Sequence, residues 1–377
     1  MIKGISATFS LGVIYKFEII VNAYYTHTSF SGDDATAGEF GNGDSVNNIT
    51  TGLLPNYLSV SGKTRQNDLD VGFTISINPG ASTRNAGIQG SQQENRQAFL
   101  TFGDASWGSF KLGKDLGIYA SDAILNDMTL LGVGSAAGAL AGNTTTLGRI
   151  GTGFMYADWK SQVAYTSPNW NGFSFTAGVT QGWNALALNG GVGSTERSGS
   201  QSAYEGKASY AWTGDVAGKV WTSFITQKVE GLAVGGDDRA TAYDIGATVN
   251  VAGFGLTGYY NNGDGIGTTV QLLGGFDAAG KSRDSDDWYV QGTYTIPGVG
   301  TKLGLAYGES TLDGNSIDTF SDRENSMWTV GVYHPLTKHL NLVAEYSDQQ
   351  VDQNNKGAIA DTDVKAKTIS LGAILFF

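Results

Sequence analysis

Polar and apolar positions alternate with a period of two along most of this chain. Between residues 172 and 181, Phe173, Phe175, Ala177 and Val179 take one face, and Ser174, Thr176, Gly178 and Thr180 take the other. From 202 to 212, Tyr204, Gly206, Ala208, Tyr210 and Trp212 oppose Glu205, Lys207, Ser209 and Ala211. Trp288, Val290, Tyr294 and Ile296 oppose Tyr289, Gln291, Thr293 and Thr295. Leu340, Leu342, Ala344 and Tyr346 oppose Asn341, Val343, Glu345 and Ser347, and the last run sets Ile369, Leu371, Ala373, Leu375 and Phe377 on one side. Side chains alternate faces along a strand, so each run predicts a strand with one greasy and one wet surface. A two-sheet sandwich gives the same alternation, so the period defines strands and leaves the architecture open.

The links between strands choose the architecture. Short ones fall at 64–67, 103–107, 168–171, 213–217, 251–253, 297–300 and 335–338. Between them lie longer segments rich in Gly, Asp, Asn and Ser, at about 28–54, 79–94, 115–150, 183–200, 230–238, 262–286, 311–325 and 349–364. Short and long alternate strictly, and seven short with eight long links join 16 strands in series. A meander with tight turns on one side and long loops on the other is the pattern of a transmembrane barrel, with strands of roughly ten residues. The expectation is therefore an all-β fold, a 16-stranded antiparallel barrel in one domain over 1–377. In lipid every backbone N–H and C=O needs a partner within the protein, so a spanning sheet must close on itself. The apolar face then lies outside and the polar face lines a lumen. Trp212, Tyr294, Trp328 and Tyr333 read as an interfacial aromatic belt near strand ends. Residues 1–30 are long for one strand; the first strand is placed near 15–27, with 1–14 as a tail or added strand.

Composition narrows the classes. Of 377 residues 55 are glycine and 15% are charged, against about 7% glycine and a quarter charged in a soluble domain. No apolar run is long enough for a membrane helix. The net charge of −12 offers no basic face for phosphates, so nucleic acid is excluded as a partner. With no cysteine there are no disulfides and no thiolate chemistry. No cleavable leader is visible before Tyr15, so export implies that one has been removed. The three histidines, His27, His334 and His339, suggest no catalytic triad, and nothing points to an enzyme. NNGDGIG (261–267) lacks the spacing and final glutamate of a calcium loop. Asp284, Asp286 and Asp287, and Asp361 with Asp363, read as solvated loop acids. Calcium binding there, near lipopolysaccharide head groups, is the alternative; no other cofactor or metal is expected.

Two stretches carry a family resemblance. RQAFLTFGDASWGSFKLGKDLGIYASDAILNDM (96–128) and GRIGTGFMYADWKSQVAYTSPNWNGFSFTAGV (148–179) resemble the Gram-negative trimeric porins, the first running from the fourth and fifth strands into the third loop. The terminal Phe377, with alternating apolar residues behind it, is similar to that family's assembly signal. The resemblance implies a homotrimer in the outer membrane of a Gram-negative bacterium, in contact with lipid and lipopolysaccharide. It also implies a third loop, 115–150 here, folded inward as a constriction. Arg96 and Arg149 match wall arginines of the family and Asp127 a constriction acid. This chain departs elsewhere. Leu131 stands at the second acid's place, Tyr57 at a second-strand arginine, and GVGSAAGALAG (132–142) replaces the family's proline-glutamate-phenylalanine-glycine-glycine stretch.

The same loop read from its residues agrees in outline. Glycine and alanine over 132–142 let backbone lie close to a wall. Parity puts Arg96 on the face of Ala98, opposite Gln97, Phe99 and Thr101, and a charge is costly against lipid, so Arg96 is expected in the lumen. Asp115, Asp122 and Asp127, with Lys111, complete the candidate constriction. Leu130, Leu131 and Val133 read as packing residues rather than a gate. The expected function is passive diffusion of small hydrophilic solutes and ions, filtered by size and weakly by charge. A channel dedicated to a sugar, carboxylate or inorganic anion, and a non-conducting structural or adhesive barrel, are the alternatives.

Overall fold

The computed structural model describes residues 5–9, 13–32, 45–83, 93–135, 145–186, 201–232 and 236–377. Sixteen strands make the wall. They begin with β1 Val13–Gly32, β2 Tyr57–Gln66, β3 Leu69–Pro79, β4 Ala98–Asp104 and β5 Gly108–Leu116. Then come β6 Trp159–Thr166, β7 Phe173–Thr180, β8 Ala203–Trp212, β9 Val216–Leu232, β10 Gly236–Val251 and β11 Phe254–Asp264. The last are β12 Asp284–Thr295, β13 Lys302–Asp313, β14 Phe320–Pro335, β15 Leu340–Asn355 and β16 Thr362–Phe376. Each pairs antiparallel with the next, and β16 returns to β1 from Val364 opposite Gly32 to Phe376 opposite Ile20. Phe377 completes this seam: its N–H donates to the Ile19 carbonyl (2.8 Å), and the Ile19 N–H donates to its carbonyl (2.9 Å).

Three short strands decorate the ring. Ile5–Phe9 pairs with the beginning of β1, so 1–14 contributes an added strand. Ser45–Thr50 pairs with the far half of β1 and Gln93–Glu94 with the end of β3. The seven tight links lie at or within about two residues of the expected places; the first turns on Asn67 and Asp68, with φ 48° and 61°, at the end of the expected 64–67 because Thr64 to Gln66 are still strand. The long segments need correction. Most of 230–238, 311–325 and 349–364 is strand, since β9 runs to Leu232, β13 to Asp313 and β15 to Asn355. Their polar residues imitate loop composition, yet a ladder extends into water as readily as it crosses lipid. A strand of 16 residues such as β15 is roughly 50 Å long, more than the ~25 Å apolar band requires even when tilted. The expectation of roughly ten-residue strands holds for β2 to β8, which have 7 to 11 residues, and fails for β1, β9, β10 and β14 to β16, which have 15 to 20. Parts of the segments 28–54, 79–94 and 183–200, and the 132–142 stretch beyond Ser135, lie outside the described residues.

The two faces are chemically inverted relative to a soluble fold. Leu256 is 64% exposed and Ile245 61%, with Leu305, Leu371, Phe224 and Val330 also bare on the outer surface. Inside, Thr26, Ser59, Ser76, Gln162, Thr329 and Ser370 are buried. An apolar belt of this extent is stable only against acyl chains. Aromatic pairs gather at the tight-turn end: Trp170 stacks near Phe173, Tyr210 near Trp212, and Phe254 lies 4.4 Å from Tyr294 between ring centroids. One expected belt residue is misplaced. Tyr333 has the parity opposite to Val330 and Val332, so it is buried in the lumen and its hydroxyl donates to Glu345 (2.6 Å).

Candidate functional site: the loop folded into the barrel

The connection from β5 to β6, residues 117–158, enters the barrel and is fastened to the inner wall along most of its described length. Its descent is held by Glu205 of β8, whose Oε2 accepts the N–H groups of Ile118 (2.8 Å) and Tyr119 (2.9 Å). The same carboxylate pairs with Lys160 of β6, both fully buried, and Lys160 also donates to Gln271 (3.0 Å). Ala120 gives its N–H to Ser223 Oγ of β9 (3.0 Å) and adopts φ 59°. That conformation costs a non-glycine residue roughly 1–3 kcal/mol and persists where neighbouring bonds over-determine it. The chain then forms a short helix, α1 Ser121–Asn126, and a 3-10 turn, Met128–Leu131.

Across the lumen the docking continues from wall to wall. Tyr119 donates to Asn261 of β11 (2.5 Å) and Tyr289 of β12 to the Ala123 carbonyl (3.0 Å). Gln291 of β12 accepts the Met128 N–H (2.6 Å) and donates to the Asn126 carbonyl (3.0 Å). Glu345 of β15 accepts the N–H groups of Val133 (2.7 Å) and Gly134 (2.9 Å). Gly132 makes this approach possible: a Cβ there would lie 2.0 Å from Glu345 Oε1. Tyr24 of β1 donates to the Leu131 carbonyl (2.7 Å). The loop thus covers the inside of β8 to β15. Its other surface faces a cavity of about 720 Å³ bounded across the lumen by Ile20, Tyr57, Asn78 and Gln97.

The candidate residues take different places. Asp122 on α1 is nearly buried between two wall lysines, Lys207 of β8 (3.3 Å) and Lys219 of β9. Asp127 caps the 3-10 turn, both oxygens held by Thr129 (N–H 2.9 Å, Oγ 2.5 Å); burial raises its pKa, and the Arg149 charge opposes the rise. Arg149 is 0% exposed and donates to the carbonyls of Met327 (2.8 Å), Ala306 (3.3 Å) and Thr152 (3.4 Å). Burial lowers its pKa. Asp115 pairs with Lys111 and accepts from Gln97 (2.9 Å), which in turn accepts from Tyr57 (2.7 Å). Arg96 borders the cavity with Nε on Glu94 (2.8 Å), Nη2 on Thr145 (3.1 Å) and its guanidinium over the Trp159 ring.

Strand parity does not govern Arg96. Ala98 and Leu100 face outward, while Gln97 and Phe99 lie on the Lys111 face, and Arg96 precedes β4. Among the apolar loop residues Val133 is fully buried and Leu131 packs beside Tyr24, whereas Leu130 borders open cavity. Asp287, read as a loop acid, is fully buried in β12 and accepts from Asn261 (2.8 Å), because odd positions of that strand point inward. Among the described residues no three metal-ligating side chains come together. Sequence reasoning did not single out Lys219, Glu345, Glu205 or Gln291. Their inward parity was visible; their partners, 80 to more than 200 residues away, were not.

A closed sheet with a lipid-facing belt, a polar interior and one loop narrowing the lumen defines an outer-membrane channel. The sequence profile described as Gram-negative porin matches residues 20–354. This chain belongs to that family, and its place is the outer membrane of a Gram-negative bacterium. No curated protein sequence matches it. Among solved structures, the anion-selective porin from Comamonas acidovorans superposes with a TM-score of 0.66 at 15% identity, covering 97% of this chain and 100% of that one. The outer membrane channel DcaP of Acinetobacter baumannii gives 0.69 at 15% identity with 100% of both chains covered. OmpT of Vibrio cholerae gives 0.61 at 17% identity, covering 98% of this chain and 99% of that one.

Proposed function

We propose that this porin is a solute-selective channel that passes small anions, carboxylates and inorganic anions ahead of sugars, down their gradients. The carrying observation is the pairing of one carboxylate, Asp122, with two ammonium groups, Lys207 and Lys219. These three groups together carry one net positive charge at the loop's edge. Of the neighbouring acids, Glu205 is matched by the Lys160 ammonium, while Asp127, Glu345 and the buried Asp244 keep their charge and are held by the neutral donors Thr129, backbone with Tyr333, and Ser223 with Tyr259. A positive rim in a narrow aqueous passage concentrates anions and repels cations. A similar fold is described as an anion-selective porin, which supports the same direction.

In this reading loop 117–158 is the constriction, with Lys111 and Asp115 as a neutralised pair on the opposite wall and Arg96 at its mouth. Arg149 anchors the loop from behind and Asp127 shapes its turn. Phe377, at the closing seam, serves as the assembly signal. A homotrimer in contact with lipopolysaccharide fits the family resemblance, and one OmpT structure is described as a trimer form. Zero-current potentials in planar bilayers across a potassium chloride gradient test the selectivity. The expected sign is that of chloride permeation, and Lys207→Gln with Lys219→Gln moves it toward potassium. A potassium preference in the unaltered protein overturns the reading.

A further inference from the structure

We infer that the space beneath the folded loop is a subsite for amphipathic carboxylates, solutes with an aromatic or branched apolar body on a carboxylate head. The inference rests on the anion-channel reading and adds to it what the rest of the solute looks like. The cavity there holds about 600 Å³, within the range of small-ligand pockets. The loop supplies one side with Leu125, Leu130 and Met128. The wall supplies the other with Thr257, Thr293 and Lys302.

Leu125 is the anomaly. It is 55% exposed, yet it lies on α1 inside the lumen, where no lipid reaches it. Leu125 and Leu130 border this cavity and also the one of about 720 Å³ toward Arg96, so a solute moving from one to the other passes both leucines. Wetting two leucines at the waist of a channel for hydrated ions gains nothing. Covering them with the apolar part of a solute removes that area from water and stabilises the bound state. A cation stands ready for the head group. Among the described residues no carboxylate lies within ion-pair distance of Lys302, whose ammonium rests over the Tyr333 ring at 4.7 Å. Asp127, on the same lining, turns both oxygens to Thr129, and Asp215 belongs to the tight turn at the rim. An anion in this cavity therefore meets, beside a greasy ledge, an ammonium with no direct ion pair, opposed only by the more distant charges of Asp127 and Glu345.

Interruption of the chloride current in planar bilayers tests the subsite with three probes: 3-phenylpropionate, propionate and 3-phenylpropanol. In the unaltered protein 3-phenylpropionate should interrupt the current at roughly tenfold lower concentration than propionate, the ratio expected for partial burial of a ring. Leu125→Asn with Leu130→Asn should bring the two acids to within about twofold, since the area term is lost. Lys302→Gln should reduce 3-phenylpropionate to the strength of 3-phenylpropanol. Equal interruption by the two acids in the unaltered protein, with chloride selectivity intact, overturns the subsite and leaves the anion channel standing. An alcohol as effective as the acid overturns the role of Lys302. Loss of chloride preference itself sinks the underlying channel reading instead. The unaltered protein decides the first point even if a variant fails to fold, which heat-modified electrophoretic mobility reveals.

Discussion

At the scale of single residues, charge is informative only together with its partner. Arg149 resembles a wall arginine in sequence, yet its guanidinium ends on three backbone carbonyls at full burial. Charged hydrogen bonds of this kind contribute roughly 1.5–3 kcal/mol each. Arg149→Ala should therefore lower the midpoint of thermal or urea unfolding in detergent and leave the zero-current potential where it was. A large shift in that potential would return Arg149 to the water column. Asp122 behaves in the opposite sense. Asp122→Asn leaves Lys207 and Lys219 without their carboxylate, and the zero-current potential should move further toward chloride. The shift should shrink in concentrated salt, where charges are screened over a few ångström.

At the scale of elements, the inserted loop is a chain held by acceptors on strands far away in sequence. Glu345 takes two of its N–H groups and Gly132 gives the clearance. Glu345→Ala removes that acceptor and leaves two buried donors unpaired, at a cost of about 1–3 kcal/mol each. Single-channel recordings should show a noisier and larger conductance as the loop loosens; unchanged traces would mean that the other anchors suffice. Gly132→Ala presses a methyl group into the same carboxylate, so the two substitutions should combine less than additively. The alternation around Gln291 and Glu345 announced which residues face in, and the tight turns announced where strands end. Composition misled where hairpins rise out of the membrane, because Asp313, Asp322 and Asp352 look like loop residues while sitting in paired strands.

At the scale of the whole molecule, the barrel is stable because its apolar belt meets lipid and its ladder has no open edge. Leu256→Arg, placed in the belt, should destabilise insertion by roughly 2–4 kcal/mol if it lies near the bilayer centre. Thr257→Arg, one residue on and facing inward, should be tolerated far better and narrow the lumen. Equal costs at the two positions, measured by urea unfolding in vesicles, would contradict the assignment of faces. Removal of Phe377 deletes two hydrogen bonds from the seam between β16 and β1. The expected consequence is slower assembly, read as the rate at which heat-resistant barrel appears on refolding.

What the chain determined by itself is local and periodic. Alternation with a period of two sets the face of every strand residue, and glycine, asparagine and proline set the turns, because both depend on neighbours within a few positions. Those rules sufficed for sixteen strands, for closure and for the inverted polarity. Only the tertiary structure decided how the lumen is furnished. Asp122 meets Lys219 across 97 residues and Val133 meets Glu345 across 212. Whether a carboxylate faces water, a lysine or a row of N–H groups is settled by the path of one loop across a closed wall. That path is set by the joint geometry of strands that are neighbours in space and strangers in sequence.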